Sequence, residues 1–208
     1  MKVFEMRALV WLAAGVLSVI GQAAALAQSE EQYESAEYKV VISEGKFELR
    51  EYPDLMLAAT RTELESEDAG GGFMTLFQYI SGANEKKQKI SMTTPVFMES
   101  QDDGSSVQMG FVMPKEVTAQ GVPKPNVGQV KLRKRLGGRF AVVRFSGMMT
   151  EESVDKSEAG LREWMKSKGL EADEAGEGAG IETAIYDSPF TPGPERRNEL
   201  LVRLKAEK

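Results

Sequence analysis

Residues 72–98 read GFMTLFQYISGANEKKQKISMTTPVFM, and their pattern sets the fold. Phe73, Leu76, Phe77 and Ile80 recur at i, i+3, i+4 and i+7, the buried stripe of a short helix. Met74 and Tyr79 fall off that stripe. Gly82 follows the last periodic residue, where a left-handed C-terminal cap favours glycine. Residues 84–89, NEKKQK, are too polar to bury, and β-branched residues then mark a strand over 90–98.

Upstream, 38–43 and 46–52 alternate as a hairpin around Glu44-Gly45, with Phe47 and Leu49 on one face. Pro53-Asp54 breaks it, and 55–62 is a third strand. The acidic stretch 63–72 ends in three glycines. No Lys-Ser/Thr follows them, so they read as a loop into the helix rather than a phosphate cradle. Downstream, 107–113 is the returning strand of a hairpin, and 115–128, with Pro123 and Pro125, reads as a crossing loop. Strands at 130–136 and 139–145 suggest a hairpin around Gly137-Gly138. Thr150 is a candidate N-cap for a helix to about Lys168, with Val154, Leu161, Trp164 and Met165 on its apolar stripe. Strands at 181–186 and 199–204 complete the chain. Strand, helix, strand, strand thus occurs twice, over about 55–113 and 139–204. The expected class is α+β: two βαββ halves, each laying one helix on antiparallel strands, with a cleft between them.

A net charge of −6 over 208 residues argues against nucleic acid as a partner. The basic clusters 86–89 and 131–135 read as solvated faces. The chain has no histidine and no cysteine. That removes Ser-His-Asp and Cys-His catalysis, thiolate and imidazole metal sites, disulfides and the commonest proximal heme ligands. No metal site is expected. At the N-terminus, Lys2 and Arg7 flank an apolar run over 8–20, and Ala25-Leu26-Ala27 offers a signal-peptidase site. Residues 1–27 read as a signal peptide cleaved after Ala27, residues 28–37 as a flexible lead-in and 38–208 as one domain, periplasmic or secreted. The alternative is an uncleaved anchor over 8–27.

Phe73, Met74, Phe77 and Tyr79 are large for so short a helix and suit a flat apolar ligand as well as a core. Glu182 and Tyr186 lie four apart on one strand, on the same face, and form an alternative acid/base pair.

The stretch from Phe73 through Leu76, Tyr79-Ile80, Gly82, Asn84, Lys89-Ile90, Met92-Thr93 and Pro95-Val96 resembles the central signature of the SOUL heme-binding family. Tyr186, Pro189-Phe190 and Arg196-Arg197-Asn198-Glu199 match near the C-terminus, and the similarity covers about residues 36 to 206. The resemblance implies a distorted antiparallel β-barrel flanked by two helices with pseudo-two-fold symmetry, a plan shared with bacterial effector-binding domains. It implies a tetrapyrrole, heme or porphyrin, placed against Phe73 and Phe77 and against Tyr186 and Phe190 of the second half. Arg196 and Arg197, and Lys86, Lys87 and Lys89 just after the helix, are candidate partners for the propionates. Gln78 stands where some members carry a basic residue. Members of this family bind heme with or without an axial histidine, so this chain falls in the second group unless Met74, Met92 or Tyr186 ligates. The expected role is a monomeric carrier, buffer or sensor of a tetrapyrrole or another hydrophobic small molecule, with no membrane contact after signal cleavage. Hydrolase relatives of the effector-binding kind use a cleft carboxylate and tyrosine, which keeps Glu182 and Tyr186 open as an alternative, as is an effector-binding module for another flat ligand.

Overall fold

The computed structural model describes residues 33–63, 71–100, 106–174, 180–188 and 190–206. In chain order these form β1 (Glu34–Ser35), β2 (Lys39–Glu44), β3 (Phe47–Tyr52), β4 (Leu55–Glu63), α1 (Gly71–Ile80), β5 (Thr93–Thr94), β6 (Val96–Ser100), β7 (Ser106–Val112), α2 (Lys115–Gln120), β8 (Lys131–Arg135), β9 (Gly138–Ser146), α3 (Glu151–Ser167), β10 (Ile181–Ile185) and β11 (Arg197–Arg203). The signal-peptide expectation over 1–27 lies outside the described residues. The end of the expected lead-in contributes β1, which pairs with β5 in parallel.

The other strands make one antiparallel sheet in the order β2-β3-β9-β11-β10-β6-β7-β4-β8. The two expected βαββ units are adjacent halves of it, β9-β11-β10 and β6-β7-β4, joined by the β10–β6 pair. The expectation of a barrel is corrected: β2 and β8 each pair on one side only, and the sheet stays open. It curls because β3 and β4, second and eighth in the order, are linked only by Pro53-Asp54.

The hairpin expected around Gly137-Gly138 is also corrected. β8 pairs with β4, and β9 pairs with β3 and β11. A glycine pair permits many turns and does not choose the partner. Here Gly137 is needed for close approach: a Cβ would lie 2.5 Å from the Tyr52 carbonyl oxygen. Its N–H donates to Asp54 Oδ1 at 2.8 Å, tying the link before β9 to the β3–β4 turn.

Alternation sends successive side chains to opposite faces. On the helix-covered face, α1 lies over Ala58 and Phe111, and α3 lies over Leu49, Ala141, Val143 and Leu200. Gly72 explains the end of the glycine run: a Cβ there would lie 2.0 Å from Thr62 Oγ1, so only glycine lets α1 meet β4 so closely. α3 begins on Thr150, whose hydroxyl accepts from Ser153 N–H in a capping box, and Trp164 stacks on Phe47 at 5.6 Å. The other, concave face carries Tyr52, Leu57, Phe97, Phe140, Val142 and Leu201. The crossing stretch after Pro114 holds α2, a turn the prolines concealed.

Candidate ligand site

The buried side of α1 is Leu76, Tyr79 and Ile80. Tyr79 is the first correction here: it is 0% exposed, and its hydroxyl donates to the Pro123 carbonyl at 2.8 Å. At 100° per residue Gly72 falls between Tyr79 and Leu76, so Tyr79 points inward with them, whereas Phe77 lies about 100° round from Leu76 and rotates out. Phe77 is 44% exposed and Met74 52%. Phe73 is half-buried, edge-on to Phe111 at 5.3 Å and stacked along Phe77 at 6.3 Å with 11° between the planes. Phe73, Phe77 and Met74 therefore form a continuous apolar ledge along one flank of the helix. Asn84 fixes the chain after it: its amide donates to the carbonyls of Tyr79 and Gln88, and its Oδ1 accepts from Gln88 N–H. Lys86, Lys87 and Lys89 are exposed on that loop.

The C-terminal candidates belong to a different place. Tyr186 packs against the concave-face cluster, whereas Phe73 packs into the cluster beneath α1 on the opposite face. Tyr186 donates to Glu199 Oε2 at 3.0 Å, and the Arg197 guanidinium lies 3.8 Å over its ring. Arg197 also donates to Glu199 Oε1 at 2.8 Å. Arg50, buried on the same face, grips Glu199 with two bonds of 2.6 and 2.9 Å. Burial opposes ionisation of Glu199, but the bonds from Arg50 and Arg197 outweigh it and hold the carboxyl down at about 2. Burial and the adjacent Glu199 charge push Tyr186 far above the ordinary phenol range. Arg196 turns elsewhere, donating to the Thr191 carbonyl at 2.8 Å, and Phe190 is 94% exposed.

Glu182 does not share a hydrogen bond with Tyr186. It is buried against Arg135, which donates to Oε2 at 2.5 and 3.0 Å. The Arg135 guanidinium sits among the rings of Phe140, Phe97 and Tyr52 at 4.4, 4.5 and 5.0 Å. This corrects the reading of 131–135 as a solvated face: Lys131 and Lys134 are exposed, and Arg135 is buried. The alternation of KLRKR puts Lys131, Arg133 and Arg135 on one side and Leu132 and Lys134 on the other, without saying which side is covered. Glu199, held ionised, and Tyr186, held protonated, bind and position charge within one network, and Glu182 is committed to its ion pair with Arg135. Among the described residues, no group of three or more Asp or Glu side chains is arranged to hold a metal ion.

Comparison with known proteins fits this architecture. The chain is 28% identical over 170 residues to mouse heme-binding protein 2, covering 78% of this chain and 80% of that protein. Among solved structures it resembles the C-terminal domain of EcmrR, with a TM-score of 0.54 and 14% identity over 82% of this chain and 99% of the other. A hydrolase from Listeria innocua is equally similar, with a TM-score of 0.54 and 14% identity over 88% of this chain and 97% of the other. At that identity the likeness is one of fold, the effector-binding-like sheet with its helices on one face. The model of the SOUL heme-binding protein family matches residues 33–203, and the chain belongs to that family.

Proposed function

We propose that this protein binds heme or an iron-free porphyrin against the Phe73–Phe77–Met74 ledge of α1, with no histidine ligand, and serves as a tetrapyrrole carrier, buffer or sensor. The observation that carries the reading is the pair of near-parallel rings, Phe73 and Phe77, beside an exposed methionine on a helix whose other side is fully buried. A flat macrocycle gains from laying its face on such a surface. Family membership supports a tetrapyrrole as the ligand class. The sequence contains no histidine, and Met74, exposed on the ledge, would offer a thioether to an iron bound there. Lys86, Lys87 and Lys89, beyond the end of the helix, are better placed than Arg196 and Arg197 to meet propionates, because Arg197 is engaged by Glu199. The N-terminal pattern supports a site of action outside the cytoplasm, after loss of residues 1–27.

Phe77→Asp tests the placement. The residue is exposed, so the variant folds. Affinity for hemin drops by at least about tenfold, because an unpaired carboxylate is then buried under the macrocycle. Unchanged affinity in a folded variant moves the site off α1.

A further inference from the structure

A cavity lies away from α1. It has a volume of about 370 Å³ and opens beside α2 and the β1 strap. This is small-molecule size, near the lower end of the roughly 300–1,000 Å³ usual for ligand pockets. Leu55, Met56, Val112 and Met113 make its apolar floor, where the clusters from the two faces of the sheet meet at the ends of β4 and β7. Ala36 and Ala119 line the walls. The rim is acidic: Glu34, Glu37 and Asp54 stand around it, with Lys115 as the one cation among the described lining residues and Lys134 paired to Asp54 from outside the lining.

The strap is fastened in two ways. Its backbone runs beside β5, with Ala36 N–H donating to the Thr94 carbonyl at 2.7 Å. Its carboxylates hold Lys115: Glu34 Oε1 accepts from the Lys115 backbone N–H at 3.0 Å, and Glu37 pairs with the Lys115 ammonium. That ion pair is exposed, at 63% for Lys115 and 62% for Glu37. Exposed pairs contribute little and exchange easily. An apolar floor beneath an acidic rim selects a ligand with a compact apolar body and one positive charge. Its ammonium can take the place that the Lys115 side chain now occupies at Glu37.

We propose that this cavity is a binding site for small alkyl- or arylalkylammonium compounds. It shares no lining residue with α1, so the inference stands or falls independently of the tetrapyrrole reading. The test uses the full chain with labelled methionine methyl groups, the Met56 and Met113 signals being assigned through Met56→Leu and Met113→Leu. Titration with hexylammonium shifts both signals saturably in the millimolar range, and titration with hexanoate does not. Ala119→Trp, at an exposed helix position that tolerates the change, fills the mouth and removes the shifts while the other methionine signals stay in place. Lys115→Ala removes the competing ammonium but keeps the backbone bond to Glu34, and hexylammonium binds a few-fold tighter. Absence of saturable shifts with hexylammonium overturns the proposal. So do equal shifts with hexanoate, or an Ala119→Trp protein that binds as before.

Discussion

Glu199 shows how much of the concave face rests on single residues. It is fully buried, and Arg50 and Arg197 compensate its charge. Replacing it by Gln takes the shared carboxylate from between Arg50 and Arg197 and leaves Arg50 its pair with Glu48, a loss of about 3 kcal/mol of folding stability. Denaturant unfolding at neutral pH measures it. The folded carboxyl titrates near 2, below the ordinary value of 4.5. A depressed carboxylate contributes stability that is complete above the ordinary value and is lost as pH falls toward the folded one. The wild type therefore loses stability between about pH 4.5 and pH 2, and Glu199→Gln shows a shallower acid slope in the same window. An equal slope in both proteins would assign the acid sensitivity to other groups. Glu99, raised by burial and by the neighbouring Glu182 charge, works in the opposite sense, because its ionisation as pH rises weakens the fold. Arg197 is two residues from Glu199, and Glu48 two from Arg50, but the other pairings are not local. Arg50 and Glu199 lie 149 residues apart, and Arg135 and Glu182 lie 47 apart. The alternation of REY and KLRKR told which side chains share a face. It could not tell that this face is covered, because burial is a property of partners that the sheet brings from elsewhere.

At the scale of elements, α1 has two sides of different worth. Leu76 is fully buried beneath the helix, and Leu76→Ala costs about 2–5 kcal/mol through lost contact and a residual cavity. Phe77→Ala, on the exposed flank, changes stability by no more than about 0.5 kcal/mol while weakening porphyrin binding. Thermal or denaturant unfolding of the two variants separates support of the fold from contact with a ligand. A result in which Phe77→Ala destabilises as much as Leu76→Ala would make the ledge part of the core. α1 and α3 were legible because each carries apolar residues at helical spacing and a recognisable end: Gly82 after α1, Thr150 before α3. The assignment of Tyr79 and Phe77 failed because a ten-residue helix samples the 3.6-residue period too briefly to fix its phase. α2 was hidden for a related reason. Six residues after a proline give almost no periodicity, and Pro114 reads as a stop although it also suits the entry to a helix. The Gly137-Gly138 link gave a turn but not its partners, which depend on the β3–β4 corner pressed against Gly137.

At the scale of the whole molecule, the twofold βαββ plan follows from the order of strands and helices, and the nine-stranded order places its two halves side by side. The cleft expected between them is occupied on its concave side by the chain's own arginines, glutamates and aromatic rings. On the proposed reading a flat ligand therefore lies on the outside, against Phe73, Met74 and Phe77 of α1. That arrangement predicts recognition of the macrocycle by its face, with iron contributing little. The measurement that tests this most directly is a paired titration of the protein with hemin and with iron-free protoporphyrin, followed by absorbance and by tryptophan fluorescence. One-to-one saturable binding of both at similar affinity, lost together in Phe77→Asp, is the predicted result. Tight binding of hemin alone, with a shifted Soret band that survives Phe77→Asp, would contradict it and place an iron ligand elsewhere in the chain.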